Sequence, residues 1–157
     1  AMMIKLEGGG GQLDIVEHLS DHDIPVCAHL GLKPQSVHKL GGFRVQGREP
    51  DHAKKMLEAG RRLQDAGADI VLLECVPNEV GQAMTEALDV PVIGIGAGPE
   101  VDGQILVLYD VLGITLGKTP RFVQNFQQGN DSPLAAVQAY VKAVRDRSYP
   151  SPEHCFS

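Results

Sequence analysis

The stretch Asp69-Ile-Val-Leu-Leu-Glu-Cys-Val-Pro77 predicts a strand that is buried on both faces, as in a parallel sheet. Side chains alternate along a strand, so Ile70, Leu72 and Glu74 should lie on one face. Glu74 is then a carboxylate at the end of an apolar row, a position that is costly unless the charge is paired. It is a candidate general base or acid. The alternative is a half-exposed side chain that bonds to the next helix.

Composition and charge narrow the class of protein. The chain has 157 residues, 43% of them hydrophobic, which is enough for one domain-sized core. A net charge of −6, few aromatic residues and no Trp argue against a nucleic-acid binder. No apolar run approaches the roughly 18 to 20 residues of a membrane span. The three cysteines are expected to be reduced thiols of a cytoplasmic protein.

Strand and helix patterns alternate along most of the chain. Strands are predicted over residues 2–8, 24–29, 69–77, 91–98 and 104–110. Helices are predicted from Leu13 to about Asp23, from Pro50 to about Ala66, after Asn78 as a cap, and after Ser132 with Pro133. The alternation implies parallel strands, in a (β/α) barrel or in an open doubly wound sheet.

Several of these strands carry polar side chains near their C-terminal ends. The residues are Lys5 and Glu7, then His29, Glu74 and, as a further candidate, Asp110. Barrels and doubly wound sheets both bind ligands at this edge of the sheet, so these side chains should converge there. A lone histidine such as His29 is also a common structural group.

One segment differs in charge from the rest of this acidic chain. Residues 24–48 contain no acidic side chain, whereas Lys33, Lys39, Arg44 and Arg48 are basic and glycine is frequent. Such a segment suits a flap that faces an anion. A solvated loop without a ligand is equally compatible with the pattern.

Six ordered blocks of sequence carry a resemblance to a known family. They are Lys5-Leu-Glu-Gly-Gly9, His29-Leu-Gly-Leu-Lys-Pro-Gln-Ser-Val-His38, Gly41-Gly-Phe-Arg-Val-Gln-Gly-Arg48, Leu73-Glu-Cys-Val-Pro77, Ile93-Gly-Ile-Gly-Ala-Gly98 and Asp102-Gly-Gln-Ile-Leu-Val107. The chain resembles the ketopantoate hydroxymethyltransferase (3-methyl-2-oxobutanoate hydroxymethyltransferase) family of pantothenate biosynthesis. The resemblance extends to residues 150–156 and implies a (β/α)8 TIM barrel that forms homo-oligomers.

The resemblance also implies a reaction and roles for four residues. A hydroxymethyl group would pass from 5,10-methylenetetrahydrofolate to 2-oxoisovalerate (3-methyl-2-oxobutanoate), a 2-oxo acid, through an enolate that Mg²⁺ stabilises. Glu74 matches the base that removes the proton from C3 of the substrate. Lys5 and His29 match residues that bind the substrate. Glu7 matches an acid that hydrogen-bonds to metal-bound water.

The first three strand–helix units of that family have no counterpart in the chain. We therefore expect residues 1–157 to form one domain, an incomplete barrel of about five parallel strands that corresponds to strands four to eight. The direct Mg²⁺ ligands would lie in the missing N-terminal part, and a separate chain or self-association would complete the barrel. The remaining alternatives are a Mg²⁺-dependent barrel lyase acting on 2-oxo acids or phosphoenolpyruvate, and an inactive folded fragment.

Overall fold

The structure is a computed structural model that describes residues 1–36, 38 and 42–157. Lys39, one of the basic residues of the predicted flap, lies outside the described residues. No helix in the described part of the chain is long and apolar enough to cross a membrane.

The described residues fold into five strands, five α-helices and three single-turn 3-10 helices. The strands are β1 (Ile4–Glu7), β2 (Val26–Gly31), β3 (Ile70–Glu74), β4 (Val92–Ile95) and β5 (Gly103–Gln104). The α-helices are α1 (Leu13–Ser20), α2 (Pro50–Asp65), α3 (Asn78–Ala87), α4 (Leu108–Val111) and α5 (Pro133–Arg145). The 3-10 helices are Gly10–Gln12, Pro34–Ser36 and Pro152–His154.

All five strands belong to one parallel sheet in the order β1-β2-β3-β4-β5. A doubly wound sheet reverses its strand order at a switch point and carries helices on both faces. Here the order follows the sequence without reversal, and α1, α2 and α3 pack on the same face. The α/β sheet therefore has the winding of a (β/α) barrel wall, as the sequence predicted, with five strands.

The two faces of the sheet have different partners. On the outer face, Val71 and Leu73 of β3 pack against helix residues that include Leu63 and Met84. On the inner face, Leu72 belongs to a second apolar cluster, which is described with the site below. The period of two along β3 thus places Glu74 on the inner face, in line with Leu72.

Local signals set the ends of two helices. Pro50 occupies the first turn of α2, where its missing N–H costs nothing. Gly67, with φ of 95°, ends α2 by donating its N–H to the carbonyl of Gln64. Ser132 caps α5, because its Oγ accepts a hydrogen bond from the N–H of Ala135 at 3.1 Å. The predicted starts at Pro50 and Ser132 are confirmed.

The strand predicted over residues 104–110 is wrong, and Asp110 does not lie at a strand tip. β4 ends at Ile95 because Gly96 turns the chain with φ of 63°. The segment after Gln104 consequently has no neighbouring strand to pair with. Its last hydrogen bond to β4 is from the N–H of Ile105 to the carbonyl of Gly94. The chain leaves the sheet and enters α4, where Asp110 is buried and accepts a hydrogen bond from Thr115 Oγ1 at 2.5 Å.

Asn78 does not cap α3, contrary to the prediction from sequence. Pro77 occupies the cap position, and Asn78 is the first helical residue. Its backbone N–H donates to the carbonyl of Phe156 at 3.0 Å. The carbonyl of Phe156 thus satisfies one of the first N–H groups of α3, which have no partner within the helix.

Gly31 fixes the spacing between β2 and the end of β3. It pairs in register with Glu74 and has φ of 87°, a left-handed conformation that favours glycine. A Cβ built on Gly31 would overlap the carbonyl oxygen of Glu74. That same oxygen accepts the N–H of Leu32 at 2.8 Å, so the two strands approach closely at this point.

Gly31→Ala should destabilise the fold by roughly 2–5 kcal/mol, because both the backbone conformation and the overlap oppose a side chain. Gly10→Ala is the matched control, since a Cβ there meets nothing within 4 Å and no positive φ is required. Urea unfolding of both variants measures the difference. Equal stability of the two variants would show that the close approach at Gly31 is not a real constraint.

Candidate functional site

Four polar side chains meet at the C-terminal tips of β1, β2 and β3, on the inner face of the sheet. They are the four residues that the sequence singled out: Lys5, Glu7, His29 and Glu74. Glu7 pairs in register with His29, and Gly31 of the same strand pairs with Glu74. The parallel register therefore brings together residues that lie far apart in the sequence.

Lys5 links β1 to β2 within this cluster. Its Nζ lies 3.2 Å from Glu7 Oε1 and 3.2 Å from His29 Nδ1. Lys5 is about half-exposed, whereas the side chain of His29 is only 2% exposed. The ammonium group thus connects the aqueous rim of the sheet to a buried imidazole.

The contact with Lys5 defines the tautomer of His29. An ammonium group can only donate hydrogen bonds, so Nδ1 of His29 must accept. The neutral imidazole then carries its proton on Nε2. This nitrogen lies 3.1 Å from Oε2 of Glu74, so the N–H is on the side of the carboxylate.

The approach of His29 to Glu74 is close but not linear. The 3.1 Å separation suits a hydrogen bond, yet Nε2 of His29 is buried without a hydrogen bond of acceptable geometry. At this distance the imidazole N–H and the carboxylate attract each other electrostatically even without a linear hydrogen bond. Glu74 is 15% exposed, so its carboxylate is held at the surface of the inner face with access to a ligand.

Glu7 offers a second acceptor to the same space. Its Oε1 contacts Lys5, while its Oε2 is buried and has no hydrogen-bond partner among the described residues. A buried carboxylate oxygen needs a donor, and a water held by a cation supplies one. Within residues 1–36, 38 and 42–157, no group of three His, Cys, Asp or Glu side chains could hold a metal ion. The unpartnered Oε2 of Glu7 can accept a hydrogen bond from such a water.

An apolar roof, defined by Leu32, Val45, Ile95, Phe122 and Phe156, covers Leu72 and Cys75 beside Glu74. Phe122 and Phe156 come from loops distant in sequence and pack edge to face. These segments have no periodic pattern of apolar residues, so the prediction from sequence missed them. The roof lowers the polarity around Glu74, which strengthens electrostatic interactions there.

The basic segment is anchored beside the same carboxylate. The N–H of Gln46 donates to the carbonyl of Cys75, the residue that follows Glu74, at 2.9 Å. Nε of Arg48 donates to the carbonyl of Ser157 at 3.1 Å. Gln46 thus holds this part of the segment against the end of β3, whereas Phe43 and Arg44 before it are exposed.

Asp110 and a surface groove along α5 lie elsewhere. Asp110 of α4 accepts a hydrogen bond from Thr115 Oγ1, and no hydrogen bond among the described residues joins it to the four clustered side chains. A groove of about 520 Å³ runs along α5 and includes Val137, Val141 and Arg145, but none of the four clustered residues. Neither feature belongs to the site.

The three cysteines are free thiols, as predicted. Burial, with a smaller contribution from the negative charge of Glu74, raises the pKa of Cys75 to about 11. Burial also raises the pKa of Cys27 on the inner face. Cys75 is therefore protonated at neutral pH, which makes it a poor nucleophile despite its position next to Glu74.

The fold and the cluster define a class of protein: a barrel-type α/β enzyme with a carboxylate–imidazole pair at the tips of its strands. The family model of ketopantoate hydroxymethyltransferase matches residues 1–152. The chain belongs to this family.

Curated relatives named 3-methyl-2-oxobutanoate hydroxymethyltransferase match nearly the whole chain. The protein from Chromohalobacter salexigens is 56% identical over 99% of this chain and 59% of its own length. The protein from Alkalilimnicola ehrlichii is 58% identical over 99% of this chain and 56% of its own. A relative from Hahella chejuensis is 52% identical over 100% of this chain and 60% of its own. The chain thus spans between 56% and 60% of the length of these relatives.

We predict that His29 carries its proton on Nε2 in the neutral state, because Lys5 donates to Nδ1. Long-range ¹H–¹⁵N correlation spectra distinguish the two ring nitrogens directly. Lys5→Met should remove the preference and let both tautomers appear. A proton on Nδ1 in the unsubstituted protein would contradict the assignment.

Cys75 should react with iodoacetamide at pH 8 about a hundredfold more slowly than a thiol of ordinary pKa, because two pKa units separate them. Mass spectrometry of peptides after timed alkylation measures the rate. The same protein in urea is the control, since unfolding should restore the ordinary rate. A folded-state rate equal to that in urea would disprove the burial of this thiol.

Proposed function

We propose that this chain serves the transfer of a hydroxymethyl group from 5,10-methylenetetrahydrofolate to 3-methyl-2-oxobutanoate, with Glu74 as the base. Family membership and the shared name of the relatives support the reaction. The observation that carries the residue assignment is the contact of Glu74 with the buried imidazole of His29.

Glu74 has the position that a general base needs. Its Oε2 faces His29, while its Oε1 has no hydrogen bond among the described residues and is available to a ligand. The carboxylate would take the proton from C3 of the 2-oxo acid, and the electron pair of that C–H bond would form the enolate. His29 acts as a positioning residue, since its Nε2–H holds one carboxylate oxygen while the other faces the substrate.

Lys5 supplies positive charge on the same face. Its Nζ lies within 3.2 Å of both Glu7 and His29, so its position is fixed from two sides. In the proposed reaction, the ammonium group binds the oxygens of the 2-oxo acid and stabilises negative charge that develops on them. The apolar roof over Cys75 and Leu72 excludes water from the reacting carbon.

We further propose that the site binds Mg²⁺. The buried, unpartnered Oε2 of Glu7 would accept a hydrogen bond from a water bound to the metal. Mg²⁺, when bound, would act as a Lewis acid that polarises the substrate oxygens. The role of Glu7 is limited to accepting a hydrogen bond and to orienting the ammonium group of Lys5.

We also propose that further strands complete the barrel and that copies of the protein associate with one another. In the described residues, β1 and β5 are the edges of the sheet, and each pairs with one neighbour only. Open edges are liabilities in a parallel sheet, and barrels remove them by closure. Strands from the rest of a longer protein, or from another chain, would complete the barrel, and its copies would assemble as a homo-oligomer.

Glu74→Gln should slow the exchange of the C3 proton of 3-methyl-2-oxobutanoate for deuterium by about 10³-fold, because the amide cannot accept the proton. NMR in D₂O with Mg²⁺ measures the exchange without the folate. Glu79→Gln is the matched control, since Glu79 is an exposed residue of α3. Exchange in the Glu74→Gln variant at the rate of the control would mean that another residue is the base.

A further inference from the structure

Residues 149–157 form a segment, called the strap below, that follows α5 and leads to the apolar roof beside Glu74. Phe156 of the strap is one of the roof residues. Its carbonyl accepts the N–H of Asn78, the first residue of α3, at 3.0 Å. The strap is thus bonded to the helix that follows the strand of Glu74.

A buried histidine fastens the strap. His154 is 8% exposed, and its ring packs against Tyr149 with 5.2 Å between the ring centroids. The backbone N–H of Ser151 donates to Nδ1 of His154 at 3.2 Å, and Oγ of Ser151 lies 2.8 Å from the same nitrogen. In the 3-10 turn Pro152–His154, the imidazole occupies the place that Glu or Gln has in a capping box. His154 therefore closes the turn from which the chain continues to the roof.

This arrangement requires a neutral imidazole. A backbone N–H can only donate, so Nδ1 of His154 must accept and carries no proton. A protonated Nδ1 would place its own N–H against the N–H of Ser151 and would bury a positive charge. Burial lowers the pKa of His154 from its ordinary value of 6.5, and the negative charge of Glu153 opposes part of this effect.

The sign of the pH dependence follows from the direction of this shift. Because the pKa of His154 is lower in the bound strap than in a released one, the contact contributes its full stability only above 6.5. That stability decreases as the pH falls below 6.5, since the released strap then binds more protons.

The remaining bonds of the strap do not depend on an unprotonated ring nitrogen. Nε of Arg48 donates to the carbonyl of Ser157 and Nε of Arg121 to the carbonyl of Glu153, and guanidinium groups stay charged. Within the described residues, His154 is the one histidine whose ring nitrogen accepts a hydrogen bond in the strap. The charged and titratable groups next to the strap are Arg48, Asp110, Arg121, Tyr149, Glu153 and Cys155.

We propose that His154 is a positioning residue of the candidate site, which fastens the strap as a neutral imidazole and so holds Phe156 in the roof beside Glu74. Protonation of His154 releases the strap and opens the roof. The effect on catalysis rests on the proposed function, in which Glu74 is the base and the roof excludes water from the reacting carbon.

Amide hydrogen exchange, followed by NMR, tests the strap without any substrate. The reporter is the N–H of Asn78, which is bonded to the carbonyl of Phe156, and the reference is the N–H of Cys75, which is bonded to the carbonyl of Ile95. Protection is the exchange rate of an unstructured peptide divided by the measured rate, at each pH. Between pH 7.5 and pH 5.5 the protection of Asn78 should fall about five- to tenfold, because a released imidazole takes up a proton. The protection of Cys75 should change less than about twofold.

His154→Gln separates the titration from the hydrogen bond. The amide oxygen of Gln accepts the N–H of Ser151 as in an ordinary capping box but does not titrate, so the protection of Asn78 should be equal at both pH values. His154→Asn is a second variant of the same kind, with a shorter side chain. The control His22→Gln removes an exposed histidine at the end of α1 and should keep the pH dependence. Constant protection of Asn78 in the unsubstituted protein, or an equal fall in both amide variants, would overturn the proposal.

Exchange of the C3 proton of 3-methyl-2-oxobutanoate at pH 7.5 separates positioning from a merely structural role. His154→Ala removes the acceptor and the buried ring, so the exchange rate should fall about fivefold or more, and His154→Gln should restore it. An unchanged rate in His154→Ala, with the protection of Asn78 lost, would show that the strap does not position the site. Absence of C3 exchange in the unsubstituted protein would contradict the proposed function, while amide exchange would still decide whether His154 fastens the strap.

Discussion

The contact between the Glu74 carboxylate and the buried imidazole of His29 is the interaction on which the inner face of this protein depends. Both groups extend from strands whose other residues are apolar, and each would be costly to bury alone. Their 3.1 Å separation brings the N–H of His29 and the carboxylate of Glu74 into close electrostatic contact, although not into a linear hydrogen bond. Lys5 completes the arrangement, because its ammonium group donates a hydrogen bond to Nδ1 of His29. The ring proton is then on Nε2, on the side of the Glu74 carboxylate. A carboxylate can then remain in a largely apolar setting with one oxygen facing outward.

A backbone constraint places these two side chains. Gly31 lies in register with Glu74, and a Cβ on Gly31 would overlap the carbonyl oxygen of Glu74. The absence of a side chain at Gly31 therefore allows the close approach of β2 and β3 at their tips. His29 lies two residues before Gly31 on the same face, and its position relative to Glu74 follows from the strand period. The geometry of the pair therefore depends on a glycine that performs no chemistry.

The four clustered residues were predictable from sequence because a strand has a fixed period and parallel strands end at one edge. Lys5 and Glu7, two residues apart, had to share a face, and the residues of β2 and β3 followed by register. The prediction of a strand that ends at Asp110 was wrong because it relied on local composition and not on strand pairing. The run that follows Gln104 has the composition of a strand, but Gly96 removes the partner it would need, and composition alone does not report the end of a neighbouring strand.

The roof and a cavity beside the tip of β2 were beyond sequence reasoning for a related reason. Phe122 and Phe156 reach Leu72 from irregular segments, and Lys33 meets Lys55 only because α2 passes the tip of β2. Such contacts depend on where irregular segments pack in the fold. The periodicity of apolar residues along the sequence contains no information about this. The basic composition of residues 24–48 suits a flap that faces an anion, which stays a prediction. The described part of that segment places Lys33 and Gln46 in the cavity beside the tip of β2.

The residue after Glu74 is held in a backbone conformation that needs support. Cys75 has φ of 53°, which is unfavourable for a residue with a Cβ. Its N–H donates to the carbonyl of Ile95, and its own carbonyl accepts the N–H of Gln46, each at 2.9 Å. These two bonds offset the strain and turn the chain from β3 toward α3 immediately beyond Glu74. The same peptide thereby ends β3 and anchors the segment around Gln46, so a shift of that segment would act first on Glu74.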